Sequence, residues 1–176
     1  MTIGRILTAA FFAVTLALSA KAHGPTPQRV EETVTIAAAP SDVWAIVESF
    51  ADIAEWHPMV GAGSGEGENE TGATRNLTLE GGEIVERLDK HQPDEMSYSY
   101  RMLKENVQAL PVSFYSATLK VEAAQEGSKV SWMGRFYRGD TGNTPPENLN
   151  DEAGKKAMSA YFRAGLDSLR SMAEAD

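Results

Sequence analysis

Two oppositely charged residues stand where the pattern calls for apolar ones. Arg75 shares a strand face with Leu77 and Leu79, and Glu86 shares one with Ile84 and Leu88, so period-two alternation sends both charges inward. A charge taken out of water needs a partner. The pair reads either as a structural ion pair across a hairpin or as a polar anchor in a binding cavity, where the arginine would hold a carboxylate or phosphate in two-point geometry. Tyr98, Tyr100, Tyr115, Trp132 and Phe136 fall on the inward faces of later strands. With Trp56, Leu77 and Phe162 they make a candidate pocket wall, although core packing accounts for the same pattern.

His57, between Trp56 and Pro58 at the end of a short helix, is the best-placed titratable group for acid or base work near neutral pH. No Ser, Cys or Asp arrangement with triad logic pairs with it by spacing, and a capping or packing histidine is the more ordinary reading of the position. His23 would offer its imidazole and a free amino group to copper or another late metal once the leader is removed. Only His57 and His91 remain as further histidines, and no spacing motif joins the three, so neither a metal centre nor a cofactor is expected.

The elements that must position these side chains follow from periodicity. Val30 to Ile36 alternates as a strand. Pro40, tolerated at a first helical position, opens a short helix with Val43, Trp44 and Val47 on one side. A second helix is expected over Phe50 to Trp56 and must stop at His57, because Pro58 disfavours helical geometry in the residue before it. Gly61 to Thr71 reads as an edge strand and turn. Two strands then flank Gly81-Gly82; a two-residue turn there sets Leu79 opposite Ile84 and Leu77 opposite Glu86, with Arg75 diagonal to Glu86. Strands around Met96 to Met102, Tyr115 to Val121 and Val130 to Phe136 complete an antiparallel meander. After a polar loop from Gly139 to Asn150, Met158, Phe162, Gly165, Leu169 and Met172 step along one seam of a long helix. One strand, two short helices, about six further strands and a final helix make an α+β fold, a single sheet with helices on one side.

The ends and the charge bound the setting. Arg5, the apolar run Ile6 to Leu18 and Ala20-Lys21-Ala22 have the form of a cleavable export signal, residues 1–22. The run is shorter than the roughly 20 apolar residues of a spanning helix, and no membrane insertion is expected after cleavage. Residues 23–29, with Pro25 and Pro27, form an extended tether, and 30–176 one domain. With no cysteine the fold rests on its own core in an oxidising compartment, and the bacterial periplasm fits best. Beyond residue 22 there are 14 basic and 25 acidic residues, which makes nucleic acid and anionic membranes poor partners.

Ile36-Ala-Ala-Ala-Pro40-Ser-Asp-Val-Trp44, followed by Phe50 to Pro58 with its Trp56-His57-Pro58, resembles the opening of the START-like superfamily, also called SRPBCC or polyketide cyclase/lipid-transport proteins. The resemblance in element order spans the chain beyond the leader. It implies a helix-grip fold, a curved sheet of about seven strands wrapping the C-terminal helix around a ligand cavity. The leader, His23-Gly-Pro-Thr-Pro27, Trp56-His57-Pro58 and Gly72-Ala-Thr-Arg75 are also similar to MxaD-type periplasmic proteins. That narrower likeness implies an accessory role in methanol oxidation, with a dehydrogenase or cytochrome as partner. The leading expectation is a non-enzymatic binding or accessory protein for a small apolar or aromatic ligand. The alternatives are a polyketide cyclase- or hydrolase-like cavity enzyme, in which His57, Arg75 and Glu86 must converge on one pocket, and an apolar-ligand carrier.

Overall fold

A computed structural model describes residues 24–175, so the expected leader and His23 lie outside the described residues. Strand β1 (Gln28–Ile36) starts two residues before the tether was expected to end, because Gln28 and Arg29 pair with Phe136 and Arg135. Helix α1 (Pro40–Val47) opens at Pro40 after an extended Ala39 and buries Val43, Trp44 and Val47. Helix α2 (Ile53–Trp56) is one turn, shorter than expected, and ends at an extended His57 with φ −103° and ψ 111°, as a residue before proline must.

The remaining strands are β2 (Ala62–Glu66), β3 (Thr74–Leu79), β4 (Gly82–Gln92), β5 (Ser97–Lys104), β6 (Val112–Ala123) and β7 (Ser128–Arg138), and the last element is helix α3 (Asp151–Ala173). They form one seven-stranded sheet in the order β1-β7-β6-β5-β4-β3-β2, with every neighbouring pair antiparallel. Asn150 caps α3 by accepting from the Ala153 amide at 2.9 Å, satisfying one of the donors a helix start leaves free.

The β3–β4 hairpin departs from the expected register. Leu79 pairs with Gly82, Leu77 with Ile84, and Arg75 directly with Glu86, so the two turn residues are Glu80 and Gly81. Gly81 has φ 93°, a value glycine adopts without a side-chain clash. The shift moves the two charges from diagonal to directly opposed.

Helix α3 buries Met158, Tyr161, Phe162, Gly165, Leu166 and Leu169. Met172, expected on the seam, is instead 40% exposed; the buried stripe widens sideways through Tyr161 and Leu166, as an apolar face lying on a sheet does. The closest approach is at Gly165, where a Cβ would lie 2.7 Å from both His57 Cδ2 and Trp132 Cζ3. Alanine in a helix normally gains about 1 kcal/mol over glycine. Here the overlap reverses the sign: Gly165→Ala is expected to destabilise by roughly 1–3 kcal/mol in urea unfolding. Gly154→Ala, whose nearest neighbours lie at 3.3 Å, should cost less. A Gly165→Ala protein as stable as the parent would mean that the helix lifts from the sheet at no cost.

Candidate functional site

The register of the β3–β4 hairpin places Arg75 and Glu86 on the covered face of the sheet, both with 0% exposure. The arginine Nε–H donates to Glu86 Oε2 at 2.7 Å. Nη2 lies 2.6 Å from the same oxygen but out of hydrogen-bonding alignment with it. Nη1–H donates to the Phe50 carbonyl at 2.6 Å. The guanidinium packs against the rings of Phe50 and Tyr100, 4.1 and 4.7 Å from their centroids, where cation–π attraction replaces part of its hydration. Burial opposes the arginine's charge, but the carboxylate beside it outweighs that and holds its pKa above the usual value. Burial pushes the Glu86 carboxyl up, against the pull of Arg75. Glu86 Oε1 has no hydrogen-bond partner among the described residues.

An aromatic wall surrounds the pair. Trp132 Nε1–H donates to the Tyr100 hydroxyl at 3.0 Å, and the Tyr100 and Tyr115 hydroxyls are 2.8 Å apart. Trp132 stacks on Phe162 with centroids 4.7 Å apart and meets Trp56 at 5.6 Å. Trp56 Nε1 and the hydroxyls of Tyr98 and Tyr161 are buried without a hydrogen-bond partner among the described residues. Burial raises the pKa of Tyr98 to about 12 and also raises those of Tyr100, Tyr115 and Tyr161, so all four stay neutral near pH 7. Tyr161 was absent from the expected wall. Its spacing of three from Met158 and four to Gly165 is the signal that marks it.

His57 is fully engaged. Its Nε2–H donates to the Tyr161 carbonyl at 3.0 Å, and its Nδ1 accepts from the Met59 amide at 3.2 Å. The ring stacks on Tyr161 at 4.1 Å. Burial, reinforced by the Arg75 charge, pushes its pKa down to about 4 against the hydrogen bond to Tyr161. It is a neutral ring with both nitrogens committed, joining the end of α2 to α3.

Trp56, His57, Arg75, Leu77, Glu86, Tyr98, Tyr100, Tyr115, Trp132, Phe136 and Phe162 are each at most 2% exposed and come together between the sheet and α3. Their side chains fill that interior. A groove of about 830 Å³ lies outside it, lined by Pro58, Met59, Leu79, Gly81, Ala109 and Leu110 among others. Leu79 and Leu110 belong to the core as well, so the groove floor adjoins the interior. Among the described residues no group of three His, Cys, Asp or Glu side chains could hold a metal ion.

The family model described as "Polyketide cyclase / dehydrase and lipid transport" matches residues 27–174. A comparison with curated proteins finds no match. Among solved structures, the protein XoxI from Bacillus cereus is similar at 26% identity and TM-score 0.63, covering 85% of this chain and 95% of its own. The Zhui aromatase/cyclase from Streptomyces sp. R1128 aligns at 18% identity and TM-score 0.65, covering 85% of this chain and 94% of its own. Norcoclaurine synthase from Thalictrum flavum aligns at 13% identity and TM-score 0.65, covering 97% and 98%. The last two likenesses are of fold.

Removing one member of the ion pair leaves the other buried and unpaired. Arg75→Met should therefore cost roughly 3–5 kcal/mol in denaturant unfolding, and the double change Arg75→Met/Glu86→Leu should recover most of it. Equal losses in the single and double variants would show that the charges are not coupled.

His57 gives a pH dependence of definite sign. Its folded pKa of about 4 lies below the unfolded value of 6.5. Between these values the unfolded chain binds the extra proton, so stability is complete above pH 6.5 and falls as pH drops toward 4. The difference is worth about 3 kcal/mol. Urea midpoints of the parent and His57→Gln, which keeps a donor toward Tyr161, isolate this contribution from the carboxylates. The variant's curve should be flatter over that range; parallel curves would refute the assignment.

Proposed function

Because the chain belongs to the polyketide cyclase/dehydrase and lipid transport family, we propose that it binds a small, neutral aromatic molecule bearing a hydroxyl or carbonyl group at the polar centre between the sheet and α3, without transforming it. The observation that carries this reading is the set of buried polar atoms without hydrogen-bond partners among the described residues around a charge-neutral ion pair: Glu86 Oε1, Arg75 Nη2, Trp56 Nε1 and the Tyr98 and Tyr161 hydroxyls. Each such orphan costs on the order of 1–3 kcal/mol. A ligand hydroxyl that donates to Glu86 and accepts from tryptophan or tyrosine would remove that cost, and the surrounding rings suit an aromatic body.

The ion pair argues against the carboxylate or phosphate that an isolated arginine would attract. Arg75 spends its Nε–H and one Nη1–H on Glu86 and Phe50, its Nη2 lies beside the same Glu86 oxygen, and the rings of Phe50 and Tyr100 pack against it. His57, neutral and bonded at both nitrogens, is a poor acid or base, which favours binding over catalysis. Because side chains fill the interior, a ligand would displace some of them, with access through the groove lined by Met59, Leu79 and Leu110. The leader residues Arg5 to Ala22 support export to the periplasm. The MxaD-type likeness supports assistance to a methanol dehydrogenase or its cytochrome there.

Calorimetric titration of the exported protein with 2-naphthol and 2-naphthoate tests the binding reading. The neutral phenol should bind, and the carboxylate at least about tenfold more weakly, since a buried neutral site gives the charge no partner. Tyr161→Phe removes one orphaned hydroxyl; it should be as stable as the parent or more so and bind naphthol less well. Absence of heat with either probe, or unchanged binding by Tyr161→Phe, would reject the site as drawn.

A further inference from the structure

The sheet is open, and its two edge strands are treated differently. Along β1, helix α3 supplies partners. Arg163 Nη1–H donates to the Thr33 carbonyl at 3.1 Å, the Glu32 carboxylate accepts from Ser159 and Arg163, and Glu174 accepts from the Ala37 amide at 3.0 Å. At the other end β2 pairs only with β3, and every residue of its Ala-Gly-Ser-Gly-Glu sequence is exposed. An edge strand leaves a row of unpaired N–H and C=O groups, which proteins usually blunt with lysine, proline, a bulge or a covering element. Strand β2 has no lysine or proline, its register with β3 is unbroken, and before Glu66 no side chain reaches further than serine. The segment from Ala51 to Ala54 presses on the face of β2 and not on its rim. A Cβ on Gly65 would lie 2.5 Å from Ala51 Cβ, and one on Gly63 3.3 Å from Ala54 Cβ, and Cβ atoms stand out of the plane of a sheet.

Charge says what would pair there. Residues 30–74 contain nine acidic residues and no Lys or Arg. Glu31 and Glu32 are matched by Arg29 and Arg163. Asp52, Glu55, Glu66, Glu68 and Glu70, all exposed, lie on β2 and the segments flanking it, and none forms an ion pair among the described residues. The neighbouring strand β3 carries one charge, Arg75, which is buried against Glu86. Further along the sheet the first exposed basic side chains are Arg87 and Lys90 on β4, and Arg87 faces Asp89. Beside the end of β2, Ser49, Asp52, Gly65, Glu68 and Asn69 line a recess of about 420 Å³, room enough for a long side chain ending in a cation.

We infer that the free side of β2 takes an extended, basic segment of another protein as an added strand. Its backbone pairs with residues 62–66, and its Lys or Arg side chains meet Glu66 on one face and Asp52 and Glu68 on the other. In such contacts main-chain hydrogen bonds give affinity and alternate side chains give specificity. A second copy of this chain fits the same edge poorly, because pairing two β2 strands would bring two uncompensated acidic clusters together.

Anisotropy titration of the full exported protein with the fluorescein-labelled peptide Thr-Lys-Lys-Val-Lys-Lys-Thr, long enough to span the roughly 17 Å of β2, tests this. The peptide should bind at low salt, and more weakly as salt shortens the Debye length. The same peptide with Glu for Lys should not bind. The lysine peptide N-methylated at every residue keeps its charge but donates no backbone hydrogen bond, and should bind at least about tenfold more weakly. Glu66→Lys/Glu68→Lys should weaken binding by about tenfold or more, while Glu126→Lys/Glu147→Lys, on the β6–β7 turn and the loop before α3, should leave it unchanged. Amide hydrogen exchange of residues 62–66 should slow when the peptide binds. No binding at low salt, equal binding of the N-methylated peptide, indifference to Glu66→Lys/Glu68→Lys, or unchanged exchange would overturn the proposal. So would slower exchange on raising the protein concentration without peptide, which would assign the edge to a second copy.

Discussion

The ion pair between Arg75 and Glu86 is the constraint around which the interior is organised. Neither charge has access to water, and desolvating such a pair costs several kcal/mol per ion before any attraction is counted. The offset comes from several elements at once: the carboxylate on β4, the Phe50 carbonyl between α1 and α2, and the rings of Phe50 and Tyr100 packed against the guanidinium. A hairpin slipped by one pair would pull the charges apart, so the Glu80–Gly81 turn and the ion pair specify the same register. A ligand at this centre meets a neutral dipole with spare acceptor and donor sites, and not a free cation.

The sequence was most legible where a period was sustained. Alternation from Val30 to Ile36 and along the later strands placed Tyr98, Tyr100, Tyr115, Trp132 and Phe136 inward, and each is buried in the fold. Pro40 and Pro58 marked helix limits because their constraints are local. The hairpin register was less legible, since Gly81-Gly82 offers two ways to centre a two-residue turn and alternation cannot choose between them. The choice is made by Arg75, which in the observed register finds its partner directly opposite. Tyr161 and Met172 show the same limit on a helix: a wide buried stripe and a narrow seam share most of their residues, and the curvature of the sheet decides which flank is covered.

Charge was the property the linear reading averaged most severely. A net value of −9 describes long-range steering, but contact is governed within a few ångströms of a face. The fold sets Asp52 and Glu68 around one recess while it matches Glu31 and Glu32 with arginines, a division of which composition carries no trace. Gly61 to Thr71 was legible as an edge strand and turn, but not as the open edge of the sheet: the covering of β1 comes from Ser159 and Arg163 on α3, far away in sequence.

His57 ties the interior to the groove that borders it. Its two ring nitrogens hold the Tyr161 carbonyl on α3 and the Met59 amide on the groove rim, and Gly165 leaves room for the ring against the helix. The sequence presents a histidine between tryptophan and proline, a setting compatible with acid or base work. The fold turns it into a neutral cross-link whose value depends on remaining unprotonated. Widening the groove toward the polar centre must strain or break that cross-link, because Met59 cannot move far while its amide is held by Nδ1. On the proposed reading, the residue with the most suggestive chemistry in the sequence therefore sets how readily the interior opens, and the groups left to meet a ligand are the glutamate, tyrosines and tryptophan whose polar atoms the protein itself does not satisfy.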